Sequence, residues 1–484
     1  MITRTQQMSR TLGWTLASFV LLAFGASGCR VGPNYRPPAA PLAPSFTGAE
    51  TAAPATEQQA IAYSDWWKVF HDPELNTLEP QADAANRDLK IAIAHVDEAI
   101  ALSGSARSFL FPQISAQPQV SRTREAQNRP NNGNTNGHAA TYNDIQLPLV
   151  LNYEIDAWGR VRRTIEAARA TEQASEADLR VVRLSTESMV AIDYYELRET
   201  DQELGVIDGT IQDLQQSLAL TQSRFQHGLN SELEVEQAKT LLEQTQASEQ
   251  TLKTQRAQLQ HALAVLLGRT PESFTLTTQP SNAEPPNLPV GLPSELLERR
   301  PDIAEADRNI AAATARIGIA KAAYFPQLSL SGVAGYESTD PTSLLNWQNT
   351  LASLGASAVA PIFTGGRLKA GVDQAQAVFR ESLAQYEKTV LVSYQQVEDQ
   401  LSALHNLSTQ ARLQSLAVQD ASRAEQIATD RYKQGLVSYL DVVTAQQNVL
   451  FNERTSTQLA GQRLVASVVL IKALGGGWEQ TKTP

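Results

Sequence analysis

The sequence predicts an α+β membrane protein: long antiparallel coiled-coil helices with four short strands, arranged as two copies of one unit. Three observations predict it. The 23 prolines of the 484-residue chain avoid two stretches, 149–270 and 362–483, each 122 residues long. Proline lacks a backbone N–H and its ring collides with the preceding turn, so such stretches read as helix. Paired markers recur in order: Phe111-Pro112-Gln113 as Phe325-Pro326-Gln327 at an offset of 214, and Gly159-Arg160 as Gly366-Arg367 at 207. Arg224-Phe225 with Gly228-Leu229 recurs as Arg431-Tyr432 with Gly435-Leu436, and Leu267-Gly268 as Leu474-Gly475, again at 207. Between the first two markers of each half, residues alternate apolar and polar, the period of a strand.

The N-terminus reads as an address. Residues 1–28 carry Arg4 and Arg10, then the apolar run 12–24, which is too short for a membrane span and suits a secretory leader. Ala26-Ser27-Gly28-Cys29 resembles the bacterial lipobox, where the leader is cut before a cysteine that is then acylated. Cys29 is the chain's only cysteine. N-acyl and S-diacylglycerol groups on Cys29 are therefore expected, and no other cofactor. Ala26 departs from the common leucine. Arg30, rather than Asp, implies an outer membrane destination. Residues 29–62, rich in Pro and Ala, would form a lipid-anchored leash.

The first repeat is expected over 63–270, a linker over 271–292, the second repeat over 293–476 and a tail over 477–484. The fall in offset from 214 to 207 places a 7-residue insertion between the first two markers of the first half. In the first strand pair, Ile145, Leu147, Leu149, Leu151, Tyr153 and Ile155 alternate with Gln146, Pro148, Val150, Asn152 and Glu154. Ile114, Ala116, Pro118 and Val120 alternate with Ser115, Gln117, Gln119 and Ser121, and in the second half Leu328, Leu330 and Gly332 with Ser329 and Ser331. A soluble sandwich gives the same pattern. The leader and the acylated cysteine favour a membrane barrel, with one face on lipid and one on water. Pro118 and Pro148 cannot donate to a ladder, so a bulge or an unpaired position is expected there. The polar tract 128–137 suits an exposed loop. Four strands cannot close a barrel, since about eight is the least that fills its own interior. Open sheet edges are not viable in hydrocarbon, so strands that enter a membrane require a ring of several protomers.

Leu197, Leu204, Ile211, Leu218 and Phe225 recur every seven residues, with Ile207 and Leu214 in the second seam position. A helix over 160–227 would reach roughly 100 Å at about 1.5 Å per residue. The second copy, 366–434, has a weaker seam: Leu404, Leu407, Ala411, Val418 and Ala421. Both an antiparallel bundle and a tube wall accommodate this. Gly228 and Gly435 each interrupt the helical pattern, and glycine there permits the left-handed turn that ends a helix.

Composition closes other routes. A formal charge of −11, from 40 Lys+Arg against 51 Asp+Glu, excludes nucleic acid as the main partner. The six histidines show no paired ligand spacing, and no Gly-Lys-Ser/Thr phosphate loop occurs. Glu232 with Glu234, and Glu196 with Glu199, lie near no nucleophile and read as wet helix faces, so no enzymatic activity is expected.

The chain resembles the TolC-like outer membrane factors, and more closely their lipoprotein (NodT-type) branch. The residues that carry the likeness are Cys29-Arg30-Val31-Gly32-Pro33-Asn34-Tyr35, Trp66-Trp67 with Phe70 and Asp72, both Phe-Pro-Gln repeats, the segment from Gly291 through Arg299-Arg300-Pro301-Asp302 to Ile303, and both tips. The resemblance implies a homotrimer in which each protomer gives four strands to one 12-stranded outer membrane barrel and long helices to a periplasmic α-barrel. It implies a mixed equatorial belt drawing on residues between Leu267 and Arg299, and partners in a periplasmic adaptor and an RND-type or MFS-type inner membrane pump. The expected function is passive conduction of drugs or other toxic small molecules out of the cell. The alternatives are a non-channel coiled-coil envelope lipoprotein and a TolC-like channel for protein secretion. Met189 is the only methionine expected after cleavage, which leaves no thioether relay for metal export.

By the same resemblance, Arg224, Phe225, Gly228 and Leu229, with Arg431, Gly435 and Leu436, form tips that meet the adaptor. Turns and caps alone would also explain them. Asp441 aligns with a family position whose carboxylates point into the closed aperture, and Glu234 is its counterpart in the first repeat. A solvated helix-face acid is the plainer alternative. Val437 replaces the arginine latch of some relatives, which leaves Tyr432 as the candidate for a closing hydrogen bond.

Overall fold

The computed structural model describes residues 30–40, 46, 65–126, 141–279, 283–286, 288 and 296–476. The leader, Cys29, the tract 128–137 and the tail lie outside the described residues. The elements are α1 (Leu75–Ala85), α2 (Arg87–Ser108), β1 (Gln113–Ala116), β2 (Gln119–Arg124), β3 (Thr141–Ile155), α3 (Arg160–Gln226) and α4 (Glu232–Leu266) in the first repeat. The second contains α5 (Leu296–Arg299), α6 (Pro301–Ala322), β4 (Gln327–Ser338), β5 (Thr350–Val359), α7 (Arg367–Lys433) and α8 (Tyr439–Ala473).

The duplication holds to the residue. Helices α3 and α7 are each 67 residues long, α4 and α8 each 35, and α2 and α6 each 22. Both ends of each pair are displaced by the offsets that the sequence markers give. Pro80 sits inside α1, an exception to the proline rule, while Pro301 opens α6, where its missing N–H costs nothing.

The chain forms two compact units. One comprises residues up to 38, 97–174 and 306–385, and it holds the sheet. Its strand order is β1-β3-β4-β5, all antiparallel, with β2 also on β3. Strands β1 and β2 occupy one position: Ala116 faces Leu149 and Gln119 faces Gln146, so no residue is inserted between them. Pro118 thus leaves an unpaired gap, not a bulge, and Gln117 N bridges it by donating to Pro148 O at 3.0 Å. Pro148 lies opposite Gly335, where an added Cβ would sit 2.2 Å from Leu147 O and 2.7 Å from Pro148 Cα. Glycine at 335 lets the proline-bearing strand approach.

Cross-strand register separates the faces. One carries Ile114, Val120, Leu147, Leu149, Leu151, Leu328, Leu330, Ala334, Leu354 and Ala356. The other carries Gln119, Gln146, Asn152, Glu154, Ser329, Ser331, Ser353 and Ser357. Ile114, Val120, Leu149 and Leu354 are each more than half exposed in the single chain. A greasy face turned outward on strands is the pattern of a lipid-contacting sheet. No helix among the described residues is long and apolar enough to cross a membrane.

The second unit holds residues 39–96, 175–305 and 386–484. Its main core gathers Trp66, Phe70, Leu75, Tyr195, Leu197 and Leu263 with Val468 and Ile471 of α8. Phe274, Leu276 and Leu288 from the segment after α4 are buried in the same core. Arg198 Nη1 donates to Thr277 O at 2.7 Å and to Asp201 at 2.9 Å, and Arg256 Nη2 to Leu276 O at 2.9 Å. These charge-assisted bonds hold an irregular segment that lacks its own ladder. The repeat is visible in polar chemistry too. Asn86 Nδ2 donates to Leu266 O at 2.9 Å, and its counterpart Arg300 donates to Ala473 O at 2.8 Å, each closing the C-terminal end of a returning helix.

Candidate functional site

Helices α3 and α7 end in the same device. Leu229 N donates to Arg224 O at 2.8 Å and Gly228 N to Phe225 O at 2.9 Å; Leu436 N to Arg431 O and Gly435 N to Tyr432 O, both at 2.9 Å. This is the Schellman cap, and it requires positive φ: +69° at Gly228 and +75° at Gly435. Leu229 and Leu436 are exposed beyond the caps, as are Leu233 and Leu440 in the first turn of the returning helices. Phe225 and Arg431 are exposed as well, although the heptad pattern places Phe225 in the buried seam.

Repeat symmetry breaks in the polar groups. Tyr432 is buried, and its hydroxyl donates to Glu234 Oε2 at 2.9 Å. The hydroxyl oxygen of Tyr432 in turn accepts from Asn230 Nδ2 at 2.5 Å. Arg224 Nε donates to Asn230 Oδ1 at 3.1 Å, and its guanidinium lies 4.9 Å from the Tyr432 ring centre, within cation–π range. Burial, reinforced by the bond to Glu234, pushes the Tyr432 hydroxyl up to about 12, so it remains a donor at any physiological pH. Tyr439, 5.3 Å from Tyr432 between ring centres, bonds Ser217 Oγ at 3.0 Å. Leu214, Ala238, Leu241 and Val442 pack beneath. The first repeat offers Phe225 where the second has Tyr432, so the hydroxyl bond exists once per chain.

Asp441 does something else. It is the third helical residue of α8, and its Oδ2 accepts from Ser438 N at 3.0 Å and from Ser438 Oγ at 2.8 Å. With Ser438 it completes a capping box. The carboxylate is exposed, so capping and a pore-facing charge are compatible roles. Of the sequence-predicted residues, the structure brings Arg224, Glu234 and Tyr432 into one cluster. Asn230 completes that cluster and was not foreseen, since nothing in its local sequence marks it. The Ser438-x-x-Asp441 box was readable.

A second site receives the N-terminal strap, within the sheet-bearing unit. Val31 N donates to Trp158 O at 3.2 Å. Arg163, fully buried, donates to Val31 O and Gly32 O, both at 3.3 Å, and to Asn34 Oδ1 at 2.8 Å. Its fourth partner is Glu166, at 2.8 Å. Gly32 has φ +98°, and an added Cβ would sit 2.5 Å from Gly318 Cα. Farther along, Tyr35 bonds Asp307 and lies under Arg308, 5.2 Å from ring centre to guanidinium. The chain directly after Cys29 is thereby fixed beside the junction of β3 and α3.

A duplicated helical hairpin, in a chain that also forms an apolar-faced antiparallel sheet, defines an outer membrane channel protein. The chain belongs to the outer membrane efflux protein family, whose model matches residues 78–269 and 292–476. It is 34% identical over 468 residues to the solvent efflux pump outer membrane protein SrpC of Pseudomonas putida, covering 96% of this chain and 98% of that one. The cation efflux system protein CusC of Escherichia coli is 30% identical over 462 residues, covering 95% and 98%. Among solved structures, the outer-membrane channel OprN superposes with a TM-score of 0.86 at 29% identity, covering 93% of this chain and all of that one.

Proposed function

We propose that this chain is one third of a lipid-anchored outer membrane duct, the passive exit of a tripartite efflux pump. The observation that carries the reading is the sheet. Among the described residues it has four strand positions, one apolar face and two unpaired edges, at β1/β2 and at β5. Three copies supply 12 strands, enough to close a barrel and pair every edge. Polar residues such as Gln146, Asn152, Ser329 and Ser357 then line water, and the leucines face lipid.

Acylation of Cys29 would tether the chain one peptide unit, about 3.8 Å, from Arg30, at the strap held by Arg163. At the C-terminal ends of α3 and α7, the Tyr432–Glu234 bond keeps the tips of one protomer together, and Asp441 adds a carboxylate close by. The exposed Phe225, Leu229 and Leu436, with Arg224 and Arg431, offer the apolar and basic surface that a periplasmic adaptor would engage. Energy for transport comes from an RND-type or MFS-type inner membrane partner. SrpC is named for solvent and CusC for cations, so the cargo of this duct is assigned to its pump.

The test is expression in a bacterium lacking its own outer membrane efflux channel. Restored resistance to small toxic compounds, together with ion conductance of the purified protein in planar bilayers, is expected. Resistance unchanged and bilayers silent would reject the proposal.

A further inference from the structure

Helix α1 carries a buried acid with no evident use in transport. Glu79 is fully buried, and neither of its carboxylate oxygens finds a hydrogen-bond partner among the described residues. A second acid, Glu187 of α3, is also buried and accepts from Trp66 Nε1 at 2.8 Å. Two further buried polar atoms, Trp67 Nε1 and Tyr195 Oη, likewise have no partner among the described residues.

The charged and titratable groups that face this pair come from three elements. Asp83, on α1 itself, is ion-paired with Arg183 of α3 at 3.0 Å. Tyr195, on α3 two turns beyond Glu187, interacts with Glu79. Asp65, before the turn Trp66–Phe70, is ion-paired with Lys68 at 2.8 Å. The cations Arg183 and Lys68 are therefore already committed and largely in solvent. An ionised Glu79 would be an uncompensated charge next to a second acid, in the apolar core that holds Trp66, Leu75 and Leu78.

We propose that Glu79 and Glu187 form a proton-holding pair that fastens α1 to α3, tightening as the medium acidifies and loosening as it becomes alkaline. Each docked carboxyl keeps its proton as a neutral acid. On release the proton passes to bulk water, and the carboxylate left behind must find Trp67, Tyr195 or solvent. Burial, with the neighbouring acids adding to it, holds the Glu79 pKa well above the usual carboxylate range, and burial pushes Glu187 up to about 7. The sign follows. An undocked Glu titrates near 4.3, so from about pH 4.3 upward the docked state binds more protons than the undocked one, and stability falls until the docked groups ionise.

The test compares the detergent-solubilised full chain with Glu79→Gln and Glu187→Gln. Thermal unfolding and tryptophan emission are followed from pH 5.5 to pH 8.5. The wild type is expected to melt at progressively lower temperature as pH rises. Glu79→Gln should match it at pH 5.5, melt higher at pH 8.5 and show a flatter slope. If the variant fails to fold, infrared spectra of a Glu199→Gln chain that keeps Glu79 and Glu187 decide, because a protonated carboxyl C=O stretch must persist there at pH 7. Parallel pH slopes for wild type and Glu79→Gln, or absence of that stretch at pH 7, would overturn the proposal.

Discussion

The hydroxyl of Tyr432, in the second repeat, reaches Glu234 of the first at 2.9 Å and ties the two helical tips of one chain together. The apolar side chain of Val437 offers no such bond. Removing the hydroxyl with Tyr432→Phe deletes a bond to a charged acceptor, worth about 1.5–3 kcal/mol. The expected outcome is a higher closed-state conductance in planar bilayers. Glu234→Gln keeps an acceptor oxygen and should change conductance less. Equal, unchanged conductance in both variants would remove the bond from the gate.

Asp441 separates into two testable roles. As the third helical residue, which closes the capping box on Ser438, it stabilises the start of α8, and Asp441→Ala should cost about 0.5–2 kcal/mol in thermal or denaturant unfolding. Asp441→Asn keeps a side-chain oxygen for Ser438 and loses the charge. If conductance responds to both variants but stability only to alanine, charge and cap are distinct contributions. A change confined to alanine in both assays would assign Asp441 to capping alone.

Gly335 is required by the proline opposite it. Gly335→Ala drives a methyl to 2.2 Å from Leu147 O, which the β3–β4 ladder can relieve only by parting. Overpacking of this kind costs about 1–3 kcal/mol, and loss of the ladder adds to it. Gly332→Ala is the internal control, since its nearest neighbour would be a Leu354 methyl at 3.5 Å. Semi-native electrophoresis after graded heating should show the oligomer dissociating at lower temperature for Gly335→Ala and unchanged for Gly332→Ala.

The strap is set by Gly32 and Arg163. Gly32→Ala meets both a positive φ and the Gly318 backbone at 2.5 Å, so residues 30–36 should detach and become accessible to protease while the helices remain intact. Gly104→Ala, in the open interior of α2, meets nothing within 4 Å and is expected to stabilise the helix by about 0.5–1 kcal/mol. Limited proteolysis with mass mapping distinguishes the two.

Much of this architecture was legible because it rests on local rules. The long helices α3 and α7 begin and end within a residue of the expected spans 160–227 and 366–434. Strand β5 was not placed, because 350–359 is largely Ala, Ser and Gly and presents no strong alternation. Phe225 fits a heptad yet lies in solvent, because the cap that follows turns the chain away from the seam. Glu199 was assigned to a wet face. It instead lies against α8, where a Cβ on Gly461 would be 2.1 Å from its Oε2, and burial with nearby Glu203 and Glu196 pushes its pKa up to about 8. No pattern within α3 reveals that neighbour. The same holds for Glu79 and Asn230, each of which meets a neighbour more than 100 positions away, Glu187 and Tyr432.

Native mass spectrometry of the detergent-extracted full-length protein bears most directly on the central claim that this sheet closes only by sharing its edges with other copies. The account predicts a particle of three chains that withstands dilution. A stable particle containing one chain would contradict it, because four strands with free edges cannot stand in a bilayer by themselves.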